Sequence, residues 1–328
     1  MSDYAETIEA MITKTMPYRR AEIHKIKEEF PNIKLSKIRH DLKIDEADIK
    51  TIEDVIDSYE RYVENLGTFC IRLGYSQIDE ATRGIALGEI IGFVARTAVG
   101  KTLFALNVIR NVIRIHKIPI MFFSLEQETP QCFERLAALT FNQKPVVIEQ
   151  SFANHTYHDL AKKIIASYNK LLIVDKNSLG FNQLSELVAR AEEEILEEKI
   201  PFVVIDYLGY MRSSGKDSYE RTSKLAKEVK AFAKECKVAV LVLHQLSREA
   251  LSGGEPVSLR MCRDSGVFEE SCDYLLGAWR PELAEKASEE ERVLTHGLIK
   301  VSILKNRCGG NKLVELWLNS SSLRIEER

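Results

Sequence analysis

From about residue 69 onward, short apolar runs rich in Val, Ile, Leu and Phe alternate with amphipathic stretches of helical period. The runs at 90–95, 118–124, 171–175, 202–206, 238–243, 273–278, 298–304 and 313–318 predict strands. Several are nearly continuous in apolar residues, as expected where helices cover both faces of a parallel sheet. Helices are predicted over 102–115, 129–139, 182–198 and 219–235, each between two of the first five strands. This alternation predicts an α/β domain with a mainly parallel sheet sandwiched by helices. Beyond Glu269 the strands are joined by short glycine-containing turns, which predicts an antiparallel edge.

The first 68 residues differ, being mostly polar and helical with no strand signal. A stripe at Ile23, Ile26 and Phe30 stops at Pro31, and Leu35, Ile38 and Leu42 suggest a second short helix. Ile49, Ile52, Ile56, Tyr59, Val63 and Leu66 then recur at spacings of 3 and 4, a heptad-like seam on one helix face. Asp45 is placed to cap that helix and Gly67 to end it. The seam suits packing on its own domain or docking on a neighbouring copy of the chain. The chain thus divides into a small helical N-terminal region (1–43), a linker or oligomerisation helix (44–68) and an α/β domain (69–328).

Composition narrows the class. At 45% hydrophobic and 29% charged, with 16 Gly and 8 Pro, the chain can bury a large core and is neither low-complexity nor collagen-like. No apolar run approaches the ~20 residues of a membrane helix, and Met1 is not followed by a basic and then apolar leader. A cytoplasmic protein with no membrane partner is expected. The net charge of −3 argues against a basic coat for nucleic acid but leaves room for one basic channel. Cysteines at 70, 132, 236, 262, 272 and 308 form no Cys-x-x-Cys pair, and His155 and His158 lack a third ligand nearby in sequence. Neither a disulfide framework nor a metal cage is predicted.

The segment Ala95-Arg96-Thr97-Ala98-Val99-Gly100-Lys101-Thr102 carries the chemistry. It follows an apolar strand and opens a helix, so its backbone N–H groups and the helix terminus can face an anion. Lys101 is placed to reach β- and γ-phosphates, and the Thr102 hydroxyl to ligate Mg²⁺. Ala95 stands where the usual Gly-x4-Gly-Lys-Thr pattern has its first glycine. Asp206 ends an apolar strand and can hold the second shell of Mg²⁺. Glu126 follows another strand, where a carboxylate can serve as general base on an attacking water. His244 and Gln245 end a third, and Gln245 can hydrogen-bond a γ-phosphate. Three polar strand ends beside one phosphate loop are far more specific together than singly.

From Leu73 to Ile325 the chain resembles the RecA-like ATPase domain of DnaB-type replicative helicases. The carriers, in order, are Ile78-Asp79-Glu80-Ala81-Thr82-Arg83-Gly84 with Gly88-Glu89, the phosphate loop 95–102, and Ser124-Leu125-Glu126. Ile205-Asp206-Tyr207-Leu208, Gln245-Leu246-Ser247-Arg248, Arg263-Asp264-Ser265-Gly266 with Glu269 and Asp273, and Lys305-Asn306-Arg307-Cys308-Gly309 complete the set. In the last motif Cys308 stands where the family usually has Asn. The resemblance implies a RecA-like P-loop NTPase fold, ATP and Mg²⁺ as cofactors, and a homo-hexameric ring with ATP at each subunit boundary. Lys305 and Arg307 would then act in trans on a neighbour's γ-phosphate. A strand ending in these two cations before the turn Gly309-Gly310 can project them beyond the edge of the sheet.

DNA contact is expected from Arg212 and Lys216 after the Asp206 strand and from Arg248, Arg260 and Arg263 further on, donating to backbone phosphates without reading bases. The implied activity is ATP-driven 5′-to-3′ translocation on single-stranded DNA that unwinds forked duplex during replication. A DNA-binding ATPase that remodels a nucleoprotein complex without unwinding is the alternative, and a nucleotide-gated scaffold a third. The family's larger N-terminal collar is not matched by residues 1–43, which bears on a helicase loader or primase as partner.

Overall fold

The computed structural model describes residues 51–327, apart from 177, 217, 247–252 and 262–265. The chain parts into two units, Met1–Asn65 and Leu66–Arg328. Helix α1 (Ile52–Phe69) begins in the first, directly after Thr51. The Thr51 hydroxyl accepts from the Asp54 amide at 3.2 Å while Asp54 accepts from the Thr51 amide at 2.7 Å. The expected cap at Asp45 lies outside the described residues, together with Ile49 and the stripes of 1–43. Gly67 does not end the helix, which continues to Phe69. Ile52, Ile56, Tyr59 and Val63 of the seam lie exposed.

The second unit is a nine-stranded sheet in the order β3-β2-β4-β5-β1-β6-β7-β8-β9. The strands are β1 (Ile90–Ala95), β2 (Ile120–Ser124), β3 (Leu171–Val174), β4 (Phe202–Asp206), β5 (Ala239–Gln245), β6 (Tyr274–Trp279), β7 (Leu298–Asn306), β8 (Leu313–Asn319) and β9 (Arg324–Glu327). Strands β1 to β6 are parallel, and β6 to β9 pair antiparallel, as the change of pattern after Glu269 predicts. Every residue of β1, β2 and β4 is buried. The two faces account for this. On one, Ile91, Phe93, Phe122 and Leu241 meet Phe104, Val108 and Val112 of helix α3 (Lys101–His116), with Phe93 and Phe104 stacked at 4.1 Å. On the other, Val94, Phe123, Val203 and Val242 meet α7 (Phe181–Arg190) and α8 (Ser218–Glu235) through Leu184, Val188, Val229 and Phe232. Each such side chain contributes about 1.5–3 kcal/mol of burial.

The remaining helices are α2 (Ser76–Thr82), α4 (Thr129–Phe141), α5 (Pro145–Ala153), α6 (His158–Tyr168), α9 (Gly266–Ser271) and α10 (Glu289–Leu294). Helices α5 and α6 fall outside the predicted ones, because each sinks one residue fully, Ile148 and Ile164, and so shows only a thin apolar stripe. The helix predicted over 182–198 stops being α-helical at Arg190 and ends in a π-helical stretch, Ala191–Leu196. Strand β9 is likewise new. Asn107 of α3 donates to Leu323 O at 3.0 Å and accepts from the Ile325 amide at 2.9 Å. Glu327 takes the Ser76 and Gln77 amides at the start of α2 at 2.7 and 2.9 Å.

Candidate functional site

The loop 96–100 connects β1 to α3 at the carboxyl end of the central parallel strand. Two of its residues turn left-handed, Ala98 at φ 67° and Gly100 at φ 109°, the second a conformation glycine adopts at little cost. Helix α3 starts directly on Lys101, so its first amides face the same space as the loop. Lys101 and Thr102 are buried, and burial lowers the Lys101 pKa against the opposing pull of Glu126 and Asp206. A cation held this way is under-compensated, which suits a polyanion.

Three neighbouring strand ends complete the site. Ser124 pairs with Asp206 across β2 and β4, and the Leu125 amide donates to Asp206 O at 2.7 Å, which sets Glu126 beside the Asp206 carboxylate. Glu126 is exposed, while Asp206 is fully buried. Both Asp206 carboxylate oxygens are buried, and burial raises its pKa to about 6 against the opposing pull of the Thr102 hydroxyl and Lys101. A desolvated carboxylate next to a threonine hydroxyl at a phosphate loop fits a divalent cation of the Mg²⁺ type. On the far side of β1, Gln245 pairs with Ala95 and donates its amide to the Thr97 hydroxyl at 3.0 Å. His244, predicted with it as an exposed strand end, points the other way. It is half-buried, its ring lies 5.0 Å from that of Phe268, and desolvation lowers its pKa to about 4.

The predicted residues therefore fall into three groups. The structure brings together Ala95 through Thr102, Glu126, Asp206 and Gln245. Lys305 and Arg307 stand at the other end of the sheet, because β6 runs parallel to β1 and Asn306 pairs with Tyr274 at the start of β6. The expectation that they project past the sheet edge is corrected. Strand β7 is interior, Lys305 donates to Glu269 O and Glu270 O at 2.8 and 3.0 Å, and Arg307 lies 2.5 Å from Asp273. Arg212, Lys216 and Arg260 are exposed on connections that leave the carboxyl ends of β4 and β5. Arg248 and Arg263 lie outside the described residues.

Two features escaped sequence reasoning. The Gly253-Gly254 turn, between the expected DNA contacts Arg248 and Arg260, packs against the phosphate loop through Gly253. A β-carbon on Gly253 would stand 3.2 Å from Val99, and one on Gly254 only 2.0 Å from the Ala284 amide nitrogen. The paired glycines were the available signal. Arg280 follows β6 where Ala278 pairs with Ala95, and it is held by Glu282, which also takes His296.

A strand–loop–helix phosphate cradle flanked by two carboxylates and a polar sensor, on a RecA-like sheet, defines a P-loop NTPase core. The family model of the DnaB-like helicase C terminal domain matches residues 70–327, so the chain belongs to that family. The replicative DNA helicase DnaB of Buchnera aphidicola (subsp. Acyrthosiphon pisum) is 28% identical over 292 residues, covering 84% of this chain and 61% of that protein. The DnaB of Haemophilus influenzae is 28% identical over 285 residues, covering 84% and 59%. The chain thus spans about three fifths of the length of the curated relatives it matches. Among solved structures, one ATPase domain superposes with a TM-score of 0.73 at 21% identity, covering 85% of this chain and 99% of that one. A DnaB-like replicative helicase, described with its interactions with primase, superposes at 0.72 and 21%, covering 100% and 77%. At that identity the superpositions establish the fold.

Proposed function

We propose that this chain is the motor of a ring-forming, ATP-dependent DNA helicase that travels 5′-to-3′ along single-stranded DNA and opens forked duplex during replication. The observation that carries this reading is the buried Asp206 carboxylate set between Thr102, Lys101 and Glu126. A carboxylate left in that state is suited to hold a cation on a bound triphosphate. Lys101 and the loop amides take the β- and γ-phosphates, and Thr102 and Asp206 hold the divalent ion. When bound, that ion supplies charge neutralisation across the phosphates. Glu126 orients and deprotonates the attacking water, and the Gln245–Thr97 bond gives the loop a contact that changes as the γ-phosphate leaves.

The position of Arg307 supports assembly into a ring, and the family resemblance makes that ring a homo-hexamer. At about 3.3 Å per residue, the strand between Ile90 and Ala95 puts Arg307 well beyond reach of its own phosphate loop, so its partner phosphate belongs to an adjoining subunit. The exposed apolar seam of α1 gives that ring a docking element. Arg212, Lys216 and Arg260 are assigned as donors to DNA phosphates, and the sequence adds Arg248 and Arg263 to the same role. We place the protein in the cytoplasm; among the described residues no helix is long and apolar enough to cross a membrane. Primase is a candidate partner, since it is named with the DnaB-like structural relative.

The deciding experiment measures ATP turnover by assembled rings with and without single-stranded DNA, alongside strand separation on a fork. DNA-stimulated turnover with strand separation is expected. Stimulated turnover without separation at any salt or loading condition supports nucleoprotein remodelling instead, and slow unstimulated turnover supports a scaffold.

A further inference from the structure

We propose that Asp273 is the positioning residue that holds Arg307 in place for the γ-phosphate of the adjoining subunit, an inference that rests on the trans role assigned to Arg307 above. Asp273 is fully buried at the start of β6, at the sheet end away from the phosphate loop. Its Oδ2 accepts the Ile90 amide at 2.8 Å and is also bound by Lys230, which donates on to Gly88 O at 3.2 Å. One strand and one helix therefore fix the carboxylate. The other oxygen, Oδ1, lies 2.5 Å from Arg307 Nη1 as an ion pair, and among the described residues it accepts no hydrogen bond.

The arginine differs sharply from its anchor, with 57% of its side chain exposed against 0% for Asp273. A guanidinium carries five N–H donors in a planar fork, so one contact with a fixed carboxylate orients the plane and leaves the remaining donors for an outside anion. The surrounding hairpin is built for the same end. The register between β6 and β7 shifts between Leu275 and Leu276, a bulge that leaves Leu304 as the extra residue and re-aims the chain after it. Lys305 is then tied to the Glu269 and Glu270 carbonyls. Asn306 closes the turn by donating to Ala81 O and Gly310 O and accepting the Cys308 amide at 3.0 Å. The backbone on both sides of Arg307 is thus pinned, and Asp273 supplies the side chain's own hold.

The test uses full-length protein assembled into rings whose mass is confirmed. ATP turnover is compared for the parent, Asp273→Asn, Arg307→Ala and the double variant. A misplaced catalytic group costs on the order of 10²-fold, so Asp273→Asn is expected to lower kcat by that much with KM for ATP unchanged. The double variant is expected to be no slower than Arg307→Ala alone. Because Asp273→Asn leaves Lys230 buried without its partner, Asp273→Asn combined with Lys230→Met provides a second form with no stranded charge. Rings mixing either form with Glu126→Gln subunits should regain turnover, since some boundaries then join an intact Glu126 to a neighbour's well-held Arg307. If the two losses multiply in the double variant, or if mixing restores nothing, Asp273 acts elsewhere and the proposal is overturned. Parent-like turnover in Asp273→Asn with a dead Arg307→Ala overturns it alone, whereas parent-like turnover in Arg307→Ala overturns the trans reading as well.

Discussion

At the carboxyl ends of the parallel strands, Asp206 is buried beside the Thr102 hydroxyl and Lys101, and burial still lifts its pKa to about 6. At the opposite end of the same sheet Asp273 is just as buried, yet an amide, Lys230 and Arg307 surround it. One carboxylate meets its desolvation cost with a hydroxyl and one lysine, and the other is held by an amide and two cations. Groups kept out of balance are suited to something that arrives, whereas groups in balance hold a shape. The contrast separates two roles that a plain roster of acids and bases would merge.

Removing the incoming anion's partners should have the largest effect. Lys101→Ala is expected to abolish nucleotide binding, measured with a fluorescent ATP analogue. Glu126→Gln should keep binding while hydrolysis falls roughly 10³-fold, within the range for a lost general base. Normal hydrolysis by Glu126→Gln would show that another residue directs the water.

Stability should respond with opposite signs at the two ends. Breaking a buried ion pair by removing one partner costs about 3–5 kcal/mol, so Asp273→Asn is expected to destabilise by that amount in urea unfolding. Asp206→Asn, without nucleotide or divalent ion, should instead stabilise by about 2–3 kcal/mol near neutral pH, because a rise of roughly two pKa units is that costly to ionise. A loss of stability in Asp206→Asn would sink the contrast.

The pH dependence follows with its sign. Between the unfolded value near 4 and about 6, the native state holds the Asp206 proton more tightly, so this residue makes stability fall as pH rises. His244, lowered to about 4, makes stability fall as pH drops from roughly 6.5 toward 4. The two slopes oppose each other in the parent. Asp206→Asn should remove one of the opposing carboxylate slopes, Asp79 being raised to about 6 in the same way, and so give a steeper acid loss of Tm. The smallest effect belongs to Gln245→Ala, whose exposed bond to Thr97 contributes no more than about 1 kcal/mol to stability, although DNA-stimulated turnover should drop.

Strands β1 to β8 and the phosphate loop were legible because continuous apolar runs and a Gly-Lys-Thr helix start leave few alternatives. The polar ends of β2, β4 and β5 were legible as candidates for the same reason. Strand β9 was not, since Arg-Ile-Glu-Glu buries only Ile325 and owes its pairing to β8. Helices α5 and α6 were hidden by their thin apolar faces. His244 and Gln245 read alike in sequence, yet alternation across the sheet sends one toward Phe268 and the other to Thr97. What pattern could not supply was the partner of each charge: nothing in the spacing ties Arg307 to Asp273 or Lys305 to two carbonyls.

Strand β9 has a mechanical consequence. Its backbone is stitched to α3 through both ends of the Asn107 amide, and its Glu327 carboxylate caps the first turn of α2. These joints place the outermost strand in series with the helix that begins at Lys101. Peeling β9 outward would break the Asn107 bonds to Leu323 and Ile325 and the Glu327 cap of α2 together, while Asn107 keeps its bond to Leu103 O within α3. The rim of the sheet is thereby joined directly to the helix that opens the nucleotide cradle.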